Sequence, residues 1–508
     1  MMAINEQKNS VILGDLTAIE DQRYAAIELS GIQSDSRKIA AGNLFLAVAG
    51  HAVDGRDYIA QAVANGAAAV LVERAGHSAD KLNYPNVPII AVENLNLKLS
   101  EIAGRFYNNP SHELSIVGVT GTNGKTSCTQ LYMQIANLLG RSCGVIGTLG
   151  AGIDGQLNEG LNTTPDAISI QKILAEWRDH ELAVAAMEVS SHGLEQGRVA
   201  DVQFELALFT NLSRDHLDYH GSMLAYGETK ARLFRQPGLK CAVINIDDHF
   251  GCALVDEMPA TTDVIRYGVE PDARTNHSAD VWVDNVRFHP SGVNARLHSD
   301  WGSVEINSPL LGEFNLSNLV AVICCFGLQG FALSSIANVI PKLMTVPGRM
   351  ERIVSSADIT VVVDYAHTPD GLEKALLAMR QHTDGKLWCV FGCGGNRDHG
   401  KRPLMGALVQ RHADHVVVTS DNPRNESAAE IIDEILGGVD RPSMVEEDRG
   451  LAIQFAIANA LPGDCVLIAG KGHEDHQLIG DFRVPFSDIT QARLALAVRA
   501  NAAGGDAR

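Results

Sequence analysis

Short apolar runs recur along the chain, and their lengths and flanking residues predict how the fold is organised. In the first block these runs alternate with loops, and helical patterns follow Asp57 and Asn96. The sequence Asn-Asn-Pro-Ser at 108–111 is a strong loop signal that ends the block. We therefore expect a small α/β domain over residues 1–110. Its apolar runs lie at 44–48, 67–72 and 87–92.

The second block opens with an apolar run at 114–119, a glycine-rich loop and a helical pattern at 125–139. Strand, loop and helix in this order are typical of a nucleotide-binding α/β unit. A Val-Pro-Gly boundary at 346–348 closes the block, which predicts a central domain over residues 111–346. Further strand-like runs lie at 182–189, 206–209 and 241–246.

The third block, residues 347–508, alternates strand-like runs with helical patterns. Repeated βα units predict a mostly parallel sheet with helices on both faces, and such sheets bind ligands beyond the carboxyl ends of their strands. Each run is followed by polar sequence marked by glycine or proline, which places candidate ligand contacts at that edge. The runs lie at 359–363, 387–391, 415–419 and 465–469.

Length and charge narrow the class of protein. A chain of 508 residues is too long for a single core, and typical domain sizes suggest roughly three domains. The 41 basic and 61 acidic residues give a formal charge of −20, which argues against nucleic acid as a partner because a duplex requires a basic face. Anionic ligands must therefore be bound by local cations and backbone N–H groups.

Cysteine usage and hydropathy favour a cytoplasmic protein. The nine cysteines show no CxxC spacing, and Cys324 and Cys325 lie in an apolar helical stretch that indicates core. An odd number without a pairing framework is typical of a reducing compartment. Residues 1–10 lack the apolar run of a signal peptide, and no apolar stretch reaches the roughly 18 residues of a membrane span. We therefore expect no membrane partner.

The segment Thr-Gly-Thr-Asn-Gly-Lys-Thr at 120–126 follows a predicted strand and begins a predicted helix. Its glycines let backbone N–H groups approach a phosphate, Lys125 can neutralise the β- and γ-oxygens, and Thr126 offers a hydroxyl to Mg²⁺. The strict P-loop pattern requires glycine where this chain has Val119, so the loop is a variant. The alternative is a glycine-rich turn that binds no nucleotide.

Two further segments carry candidate metal ligands. Glu188 follows an apolar run, and a carboxylate at the end of a buried strand near a phosphate loop can supply an oxygen to Mg²⁺. A glutamate that faces solvent is the alternative. The segment 210–221 concentrates Arg, Asp, His and Tyr side chains, although any one of its histidines is also compatible with a surface position.

Together these motifs resemble a known family. The loop T-G-T-N-G-K-T is similar to the one shared by Mur ligases and folylpolyglutamate synthetases, which join a carboxylate to an amine through an acyl phosphate. The sequences M-E-V-S-S-H-G at 187–193 and N-L-S-R-D-H-L-D-Y-H-G at 211–221 resemble the Mur ligase signature, and the likeness extends from about Ser34 to beyond Glu474. The resemblance implies an α/β, three-domain Mur ligase architecture. A central P-loop ATPase domain would lie between an N-terminal UDP-sugar-binding domain and a C-terminal, Rossmann-like, amino-acid-binding domain.

The resemblance also implies roles in the central domain. Lys125, His216 and Lys230 would be catalytic, two Mg²⁺ ions would bind, and Lys230 would carry a carbamate derived from CO₂. A lysine reacts with CO₂ only as the neutral amine, so burial must lower its pKa. Without the resemblance, Lys230 is a solvated helical lysine and Asn315 a helix N-cap. The implied metal ligands are Thr126, Glu188, His216 and the carbamate of Lys230. The implied ATP contacts are Gly121, Thr122, Asn123, Gly124, Lys125, Thr126, Ser127, Asn315, Asn318, Arg349 and Asp364.

For the other substrates, the sequence Asp-Asn-Pro-Arg at 421–424 is a turn signal in any protein, but it also resembles the motif that distinguishes diaminopimelate-adding from lysine-adding Mur ligases. Diaminopimelate is lysine with a second carboxylate. Arg424 can fork onto that carboxylate, and a site built on this bond rejects lysine by roughly 10⁴ to 10⁵. Asn396 replaces an acidic residue that is common before Arg397. The implied contacts to diaminopimelate are Arg397, Asp421, Asn422, Arg424, Gly470 and Glu474. The implied contacts to the UDP-MurNAc-dipeptide are Ser34, Ser36, His51, Asn162, Thr163, Thr164, Ser191 and Arg198.

The resemblance thus implies a monomer that uses ATP to join meso-diaminopimelate to the D-Glu γ-carboxylate of UDP-MurNAc-L-Ala-D-Glu. A lysine-adding Mur ligase and a folylpolyglutamate synthetase-like ligase are alternatives in the same reaction class. An alternative in another class is a P-loop nucleotide-dependent binding protein. That alternative explains Lys125, but it does not explain Asp364, Arg397 and Arg424 in the last block.

Overall fold

The computed structural model describes residues 11–19, 22–50, 53–75, 84–158, 160, 162–269 and 278–505. Along this part of the chain, sheets rich in parallel strands follow one another, and helices cover them. None of the described helices combines the length and the apolar character that crossing a bilayer requires.

The N-terminal sheet is small and parallel. Its inner strands are buried along their whole length, which explains their Leu, Val, Ala and Phe content. In sheet order the strands are Gly31–Gln33, Asn43–Ala47, Ala69–Glu73 and Ile89–Val92. The helices are Leu13–Leu16, Gln22–Ala25, Ile59–Ala64 and Leu95–Phe106, with 3₁₀ turns at Ser36–Lys38, Gly55–Tyr58 and Pro110–His112 and a separate strand pair, Val11–Ile12 with Glu28–Leu29.

The central sheet has a parallel middle and antiparallel edges. In sheet order its strands are Gln156–Asn158, Gly150–Ile153, Cys143–Gly147, Val184–Glu188, Ser115–Thr120, Leu206–Phe209, Cys241–Asn245, Asp263–Gly268, Val281–His289, Gly292–Ser299 and Gly302–Ser308. Its helices are Lys125–Leu138, Ala167–Asp179, Ser191–Glu195, Leu217–His220, Met223–Ala231, His249–Asp256, Glu313–Leu328 and Leu333–Val339, with 3₁₀ turns at Arg232–Arg235 and Ile340–Lys342.

The position of one strand creates the main crevice. Ser115–Thr120 lies between Val184–Glu188 and Leu206–Phe209, because the chain first builds one side of the sheet and then crosses to the other. Such a reversal opens a crevice at the carboxyl ends of the strands. The last residues of these strands lie level with one another in the register, so the segments that follow them meet.

The C-terminal sheet is parallel except for its first short strand. In sheet order its strands are Glu351–Arg352, Thr360–Asp364, Cys465–Ala469, Leu387–Phe391, His415–Thr419 and Met444–Glu446, and a hairpin, His476–Ile479 with Phe482–Pro485, stands apart from it. Its helices are Pro369–Gln381, Lys401–His412, Ala428–Leu436, Arg449–Asn459 and Asp488–Gly505.

Agreement with the sequence is best where a strand is buried on both faces. The strands predicted at 206–209, 387–391, 415–419 and 465–469 have the predicted bounds, and Cys324 and Cys325 are buried as expected. Apolar runs do not predict the antiparallel strands over 281–308, because these strands alternate buried with exposed residues. The boundaries placed after residues 110 and 346 fall between sheets and stay predictions.

Candidate active site

The phosphate loop precedes the helix Lys125–Leu138 at the reversal point of the central sheet. Gly121 has φ 146° and Gly124 has φ 87°, conformations that favour glycine. A Cβ on Gly121 would lie 1.9 Å from Thr210 Oγ1, and a Cβ on Gly124 would lie 2.5 Å from Asn318 Oδ1. Glycine at both positions therefore permits the tight turn that brings the helix N-terminus to a phosphate.

Lys125 folds back on its own loop. Its Nζ donates to the carbonyl oxygens of Gly121 at 2.9 Å and Thr122 at 2.8 Å. Both partners are neutral, and burial lowers the pKa of Lys125. Phosphate oxygens would give this ammonium stronger, charge-assisted hydrogen bonds. Lys125 is therefore placed to bind the phosphate tail of a nucleotide.

Glu188 ends the strand beside the phosphate loop and is almost fully buried. Its Oε2 accepts hydrogen bonds from Thr126 Oγ1 at 3.0 Å and Thr148 Oγ1 at 3.1 Å, and its Oε1 accepts one from the Thr148 N–H at 2.8 Å. A carboxylate and a hydroxyl are the protein ligands that Mg²⁺ takes when phosphates and water complete its shell. Among the described residues, no three His, Cys, Asp or Glu side chains could hold a metal by themselves. The donor set therefore fits Mg²⁺ that binds together with a nucleotide.

Lys230 approaches the same loop and is only 1% exposed. Its Nζ donates to Gly121 O at 2.8 Å and lies 4.4 Å from the centroid of the Tyr226 ring. Burial, reinforced by the charge of Lys125, lowers the pKa of Lys230 well below its usual range. Lys230 is therefore not a solvated helical lysine, and it meets the condition that carbamate formation sets.

His216 lies in a cluster of rings near these lysines. Its φ is 52°, its Nε2 lies 3.4 Å from Asp215 Oδ2, and its ring centroid lies 4.9 Å from that of His192. Burial lowers the pKa of His216, and burial together with neighbouring histidines lowers the pKa of His192 to about 4. Both imidazoles are neutral at pH 7, which is the form that can bind a metal.

A cleft of about 620 Å³ separates the central and C-terminal sheets. Asn123, Gly124 and Ser127 line one side, and Arg349 and Asp364 line the other. The volume lies within the range of roughly 300 to 1,000 Å³ typical of small-molecule sites. The cleft also reaches the phosphate loop, so it can hold the base and sugar of a nucleotide whose phosphates bind there.

The two asparagines differ from the N-cap alternative. The helix Glu313–Leu328 begins after Gly312, so Asn315 lies inside its first turn. Asn315 Nδ2 donates to Leu311 O at 2.8 Å, and Asn315 Oδ1 accepts from Asn318 Nδ2 at 3.5 Å. The N-cap interpretation is therefore wrong. Asn318 borders the cleft, and Asn315 lies behind it as a support.

Arg349 and Asp364 meet across a turn. The Asp364 carboxylate accepts from the N–H groups of Met350 at 2.7 Å and Ala366 at 2.8 Å, and burial raises the pKa of Asp364. The Arg349 guanidinium lies 4.4 Å from the centroid of the Tyr365 ring. The structure thus brings the predicted pair together at the cleft, with Tyr365 as a platform that the sequence analysis did not identify.

Polar loops at the carboxyl edge of the C-terminal sheet form a second site, which we call the Arg424 pocket. Arg424 NH1 donates to Gly395 O at 2.9 Å, and the Arg424 N–H donates to Leu478 O at 2.9 Å. Burial, reinforced by the nearby Arg397, lowers the pKa of Arg424. Two guanidinium groups placed together favour an anionic ligand. The pocket comprises Arg397, Asp421, Asn422, Arg424, Gly470, Lys471 and Glu474.

The other predicted members of this pocket also converge. Gly470 has φ 122°, and a Cβ there would lie 2.6 Å from Asp421 Oδ2. Asn422 Nδ2 donates to Glu474 Oε2 at 2.9 Å. The ring of His473 lies 5.5 Å from that of Tyr365, which also contacts Arg349. Tyr365 lines the nucleotide cleft and also lies within electrostatic range of Glu474 and Arg424, so the cleft and the Arg424 pocket are neighbours.

The residues predicted to bind the muramyl peptide partly surround Glu188. Thr164 Oγ1 donates to Glu188 O at 2.9 Å, and Thr163 Oγ1 lies 3.1 Å from Thr148 Oγ1. Arg198 NH1 donates to Thr164 O at 2.5 Å, and burial lowers the pKa of Arg198. This group is therefore linked through Glu188 to Thr126 of the phosphate loop. Ser191 Oγ lies 2.9 Å from His220 Nε2, and Asn162 is exposed.

The residues predicted to bind the UDP group lie in the N-terminal domain. Ser34 is exposed, whereas Ser36 is buried and its Oγ donates to Gln61 Oε1 at 2.8 Å. The Ser36 hydroxyl therefore has a structural role in the fold. Between them, hydrogen bonds from Arg37 lower the pKa of Asp35 to about 2. His51 lies outside the described residues.

The structure adds residues that sequence reasoning missed. Tyr226 packs on Lys230, Thr148 bonds Glu188, and Asp370 Oδ2 accepts from Asn123 Nδ2 at 3.3 Å across the cleft. No sequence motif indicates which residue Tyr226, Thr148 or Asp370 contacts. Lys471 lies between the predicted contacts Gly470 and Glu474, but only the hydrogen bonds of its side chain show its role.

Comparisons with known proteins agree with this geometry. Family models match residues 28–107 (Mur ligase family, catalytic domain), 119–326 (Mur ligase middle domain) and 348–472 (Mur ligase, glutamate ligase domain). The chain belongs to the Mur ligase family. Membership makes it an ATP-dependent, peptide-forming ligase and confirms the expected three-domain α/β architecture.

Individual relatives of this ligase are similar over nearly its whole length. The UDP-N-acetylmuramoyl-L-alanyl-D-glutamate–2,6-diaminopimelate ligase of Pseudomonas aeruginosa is 51% identical over 91% of this chain and 94% of that protein. The Coxiella burnetii protein of the same name is 44% identical over 93% of this chain and 96% of that protein. A solved structure of a ligase with this name has a TM-score of 0.71 and 36% identity, covering 97% of this chain and 99% of that one.

Proposed function

We propose that this Mur ligase uses ATP to join meso-diaminopimelate to the D-Glu γ-carboxylate of UDP-MurNAc-L-Ala-D-Glu, as a cytoplasmic monomer. The observation that carries the proposal is the position of Arg424. Its guanidinium lies close to Arg397, in a pocket beside Tyr365, which lines the nucleotide cleft. A paired cationic site at that place suits an amino acid with an additional carboxylate. The relatives named UDP-N-acetylmuramoyl-L-alanyl-D-glutamate–2,6-diaminopimelate ligase support the same substrate.

The first chemical step joins two anions. A γ-carboxylate oxygen of the acceptor attacks the γ-phosphorus of ATP, the bond to the β–γ bridging oxygen breaks, and ADP leaves an acyl phosphate. Lys125, released from its loop carbonyls, spreads the charge of the transferring phosphoryl group. Positioning and electrostatic stabilisation should supply most of the rate, because the attacking and leaving groups are both anionic.

The second step forms the amide. The neutral amine of diaminopimelate attacks the acyl carbon, phosphate leaves, and the nitrogen loses one proton. We expect Arg424 and Arg397 to hold the distal carboxylate, while Gly470 and Glu474 meet the ammonium end. The cleft between domains would shelter the acyl phosphate from water.

Mg²⁺ is the expected cofactor, held by Thr126, Glu188, His216 and a carbamate on Lys230. When bound, it supplies positive charge that offsets the repulsion between carboxylate and triphosphate. The carbamate would form when Lys230 Nζ attacks CO₂ and loses a proton. The low pKa of Lys230 that burial causes provides the neutral amine this reaction needs.

Phosphate release by purified protein tests the proposal. With ATP and UDP-MurNAc-L-Ala-D-Glu present, we expect release to require diaminopimelate, and lysine to be poorer by roughly 10⁴ in kcat/KM. Equal turnover with lysine would refute the role of Arg424. Turnover with a folate acceptor would indicate the folylpolyglutamate alternative, and turnover without any acceptor would indicate a nucleotide-dependent binding protein.

A further inference from the structure

Lys471 is a buried cation with no assigned part in the reaction. Its side chain is 0% exposed, although it follows Gly470 just beyond the carboxyl end of the strand Cys465–Ala469. Removing an ammonium from water is strongly unfavourable unless protein partners replace its hydration shell. Its Nζ donates to Glu474 Oε2 at 2.7 Å and to Asn422 Oδ1 at 3.0 Å. The partners of Lys471 are thus two members of the Arg424 pocket.

Lys471 determines which way the amide of Asn422 faces. Asn422 Oδ1 accepts from Lys471 Nζ and from the Leu478 N–H, both at 3.0 Å, and its Nδ2 donates to Glu474 Oε2 at 2.9 Å. A flipped amide would point its NH₂ group at two donors and its oxygen at a carboxylate. The triangle of Lys471, Asn422 and Glu474 therefore has one satisfied arrangement.

The triangle also supports the backbone of Arg424. Leu478, whose N–H binds Asn422, accepts from the Arg424 N–H at 2.9 Å, and Arg424 O accepts from the Gly480 N–H at 2.7 Å. Arg424 has φ 53°, a left-handed conformation that is uncommon for a residue with a side chain and needs external support. Lys471 thus holds together the segments that aim the Arg424 guanidinium.

Charge gives Lys471 a second effect. Asp421 and Glu474 both lie within electrostatic range of Arg424. Pairing with Lys471 neutralises Glu474, so less negative charge opposes the approach of a ligand carboxylate to Arg424. Without Lys471, Glu474 would offset the charge of Arg424 and repel the distal carboxylate that lysine lacks, whereas both amino acids carry the ammonium that Glu474 attracts.

We propose that Lys471 is a positioning residue that sets the preference of the Arg424 pocket for diaminopimelate over lysine. It does so by orienting Asn422 and Glu474 and by cancelling the charge of Glu474. This inference rests on the proposed function and adds a residue that determines specificity.

The test compares kcat/KM for diaminopimelate and for lysine in the Lys471→Met variant of the full chain, by phosphate release. We expect the ratio of the two values to fall about 10- to 100-fold, the range for losing a hydrogen-bonded charged partner. The KM for ATP should change by less than about twofold, because the Lys471 ammonium binds Asn422 and Glu474, neither of which lines the nucleotide cleft. A loss of stability alone would lower both kcat/KM values together and leave their ratio unchanged.

Two further variants keep the test decisive. Lys471→Gln retains a donor for Asn422 without the charge, so it should show a smaller fall in the ratio, and it serves as the test if the methionine variant does not fold. In a double-mutant cycle, Lys471→Met with Glu474→Gln should lose less than the two single losses combined. Lys386→Met is the matched control, because Lys386 pairs with Asp414 at the opposite end of the same sheet.

The outcomes separate the two claims. A wild-type ligase without diaminopimelate-dependent phosphate release would refute the proposed function. A wild-type ligase with that activity, whose folded Lys471 variants keep the wild-type substrate ratio, would overturn the inference about Lys471. A rise in the KM for ATP as large as the fall in the substrate ratio would also overturn the inference about Lys471.

Discussion

At the phosphate loop, Lys125 and Lys230 donate to neutral carbonyl oxygens, whereas Lys471 in the Arg424 pocket donates to the carboxylate of Glu474. In the first region neither lysine therefore has a carboxylate as its hydrogen-bond partner, and burial lowers the pKa of both lysines. The second region pairs its buried lysine internally and leaves the guanidinium groups of Arg397 and Arg424 for a ligand.

Under the proposed function, the difference explains how one chain would bind two kinds of anion. Phosphate carries several charges, so a site with unmatched cations gains most when the nucleotide and its metal arrive. The amino-acid site must instead distinguish an amino acid that has a distal carboxylate from one that lacks it. This requires a cation whose position is fixed by neighbours that already have their own hydrogen bonds. Substitutions should therefore affect rate in the first region and substrate choice in the second.

The largest effect is expected for Lys125→Met. Loss of this ammonium should lower kcat for phosphate release on the order of 10³-fold or more, because it stabilises the transferring phosphoryl group. The substrate ratio between diaminopimelate and lysine should not change. Lys172→Met, in an exposed pair with Glu176, is the control. If the only effect were a rise in the KM for diaminopimelate, the proposed difference between the phosphate loop and the Arg424 pocket would be wrong.

Arg424→Met should instead change the substrate ratio between diaminopimelate and lysine. We expect kcat/KM for diaminopimelate to fall about 10²- to 10³-fold, because a substrate carboxylate would lose its charged partner. Turnover with lysine should stay the same or improve. Steady-state kinetics with both amino acids measure this, and Arg411→Met, on an exposed helix end, is the control. A parallel fall with both amino acids would show that Arg424 does not select the substrate.

A smaller effect is expected for Gly470→Ala. The new Cβ would meet Asp421 Oδ2 at 2.6 Å and displace that wall of the pocket, so the KM for diaminopimelate should rise about tenfold. Gly463→Ala is a matched control, because Gly463 has φ 85° but its Cβ would meet no atom within 4 Å. Both variants share the backbone strain, so an equal change in KM would exclude contact with Asp421 as the cause.

The smallest effect concerns stability. The pKa of Lys230 is lowered in the folded protein, so between that pKa and about 10.4 the unfolded chain holds the additional proton and stability rises with pH. In CO₂-free buffer, this contribution reaches up to about 1.4 kcal/mol per pH unit. Lys230→Met should be more stable than wild type at pH 7, with an advantage that shrinks at pH 9. Urea denaturation at each pH measures the free energy of unfolding of the wild type and the variant. If the two free energies changed in parallel with pH, the low pKa of Lys230 would be contradicted.

The sequence by itself determined the order of the sheets, the strands buried on both faces, the phosphate loop and the presence of Arg424 beside a strand end. These features depend on neighbours along the chain. A β-branched run forms a buried strand, and Gly121 and Gly124 permit a turn that other residues resist. Local residue type is enough to predict them, and the family likeness added roles to the same residues.

Only the tertiary structure decided which distant groups meet. It buried Lys230 against the carbonyl of Gly121, moved Asn315 away from the helix cap, and paired Lys471 with Asn422 and Glu474. It also added the antiparallel strands over 281–308 to the central sheet. The environment of a charge depends on partners from segments far apart in sequence, so neither its pKa nor its hydrogen bonds follow from residue type alone.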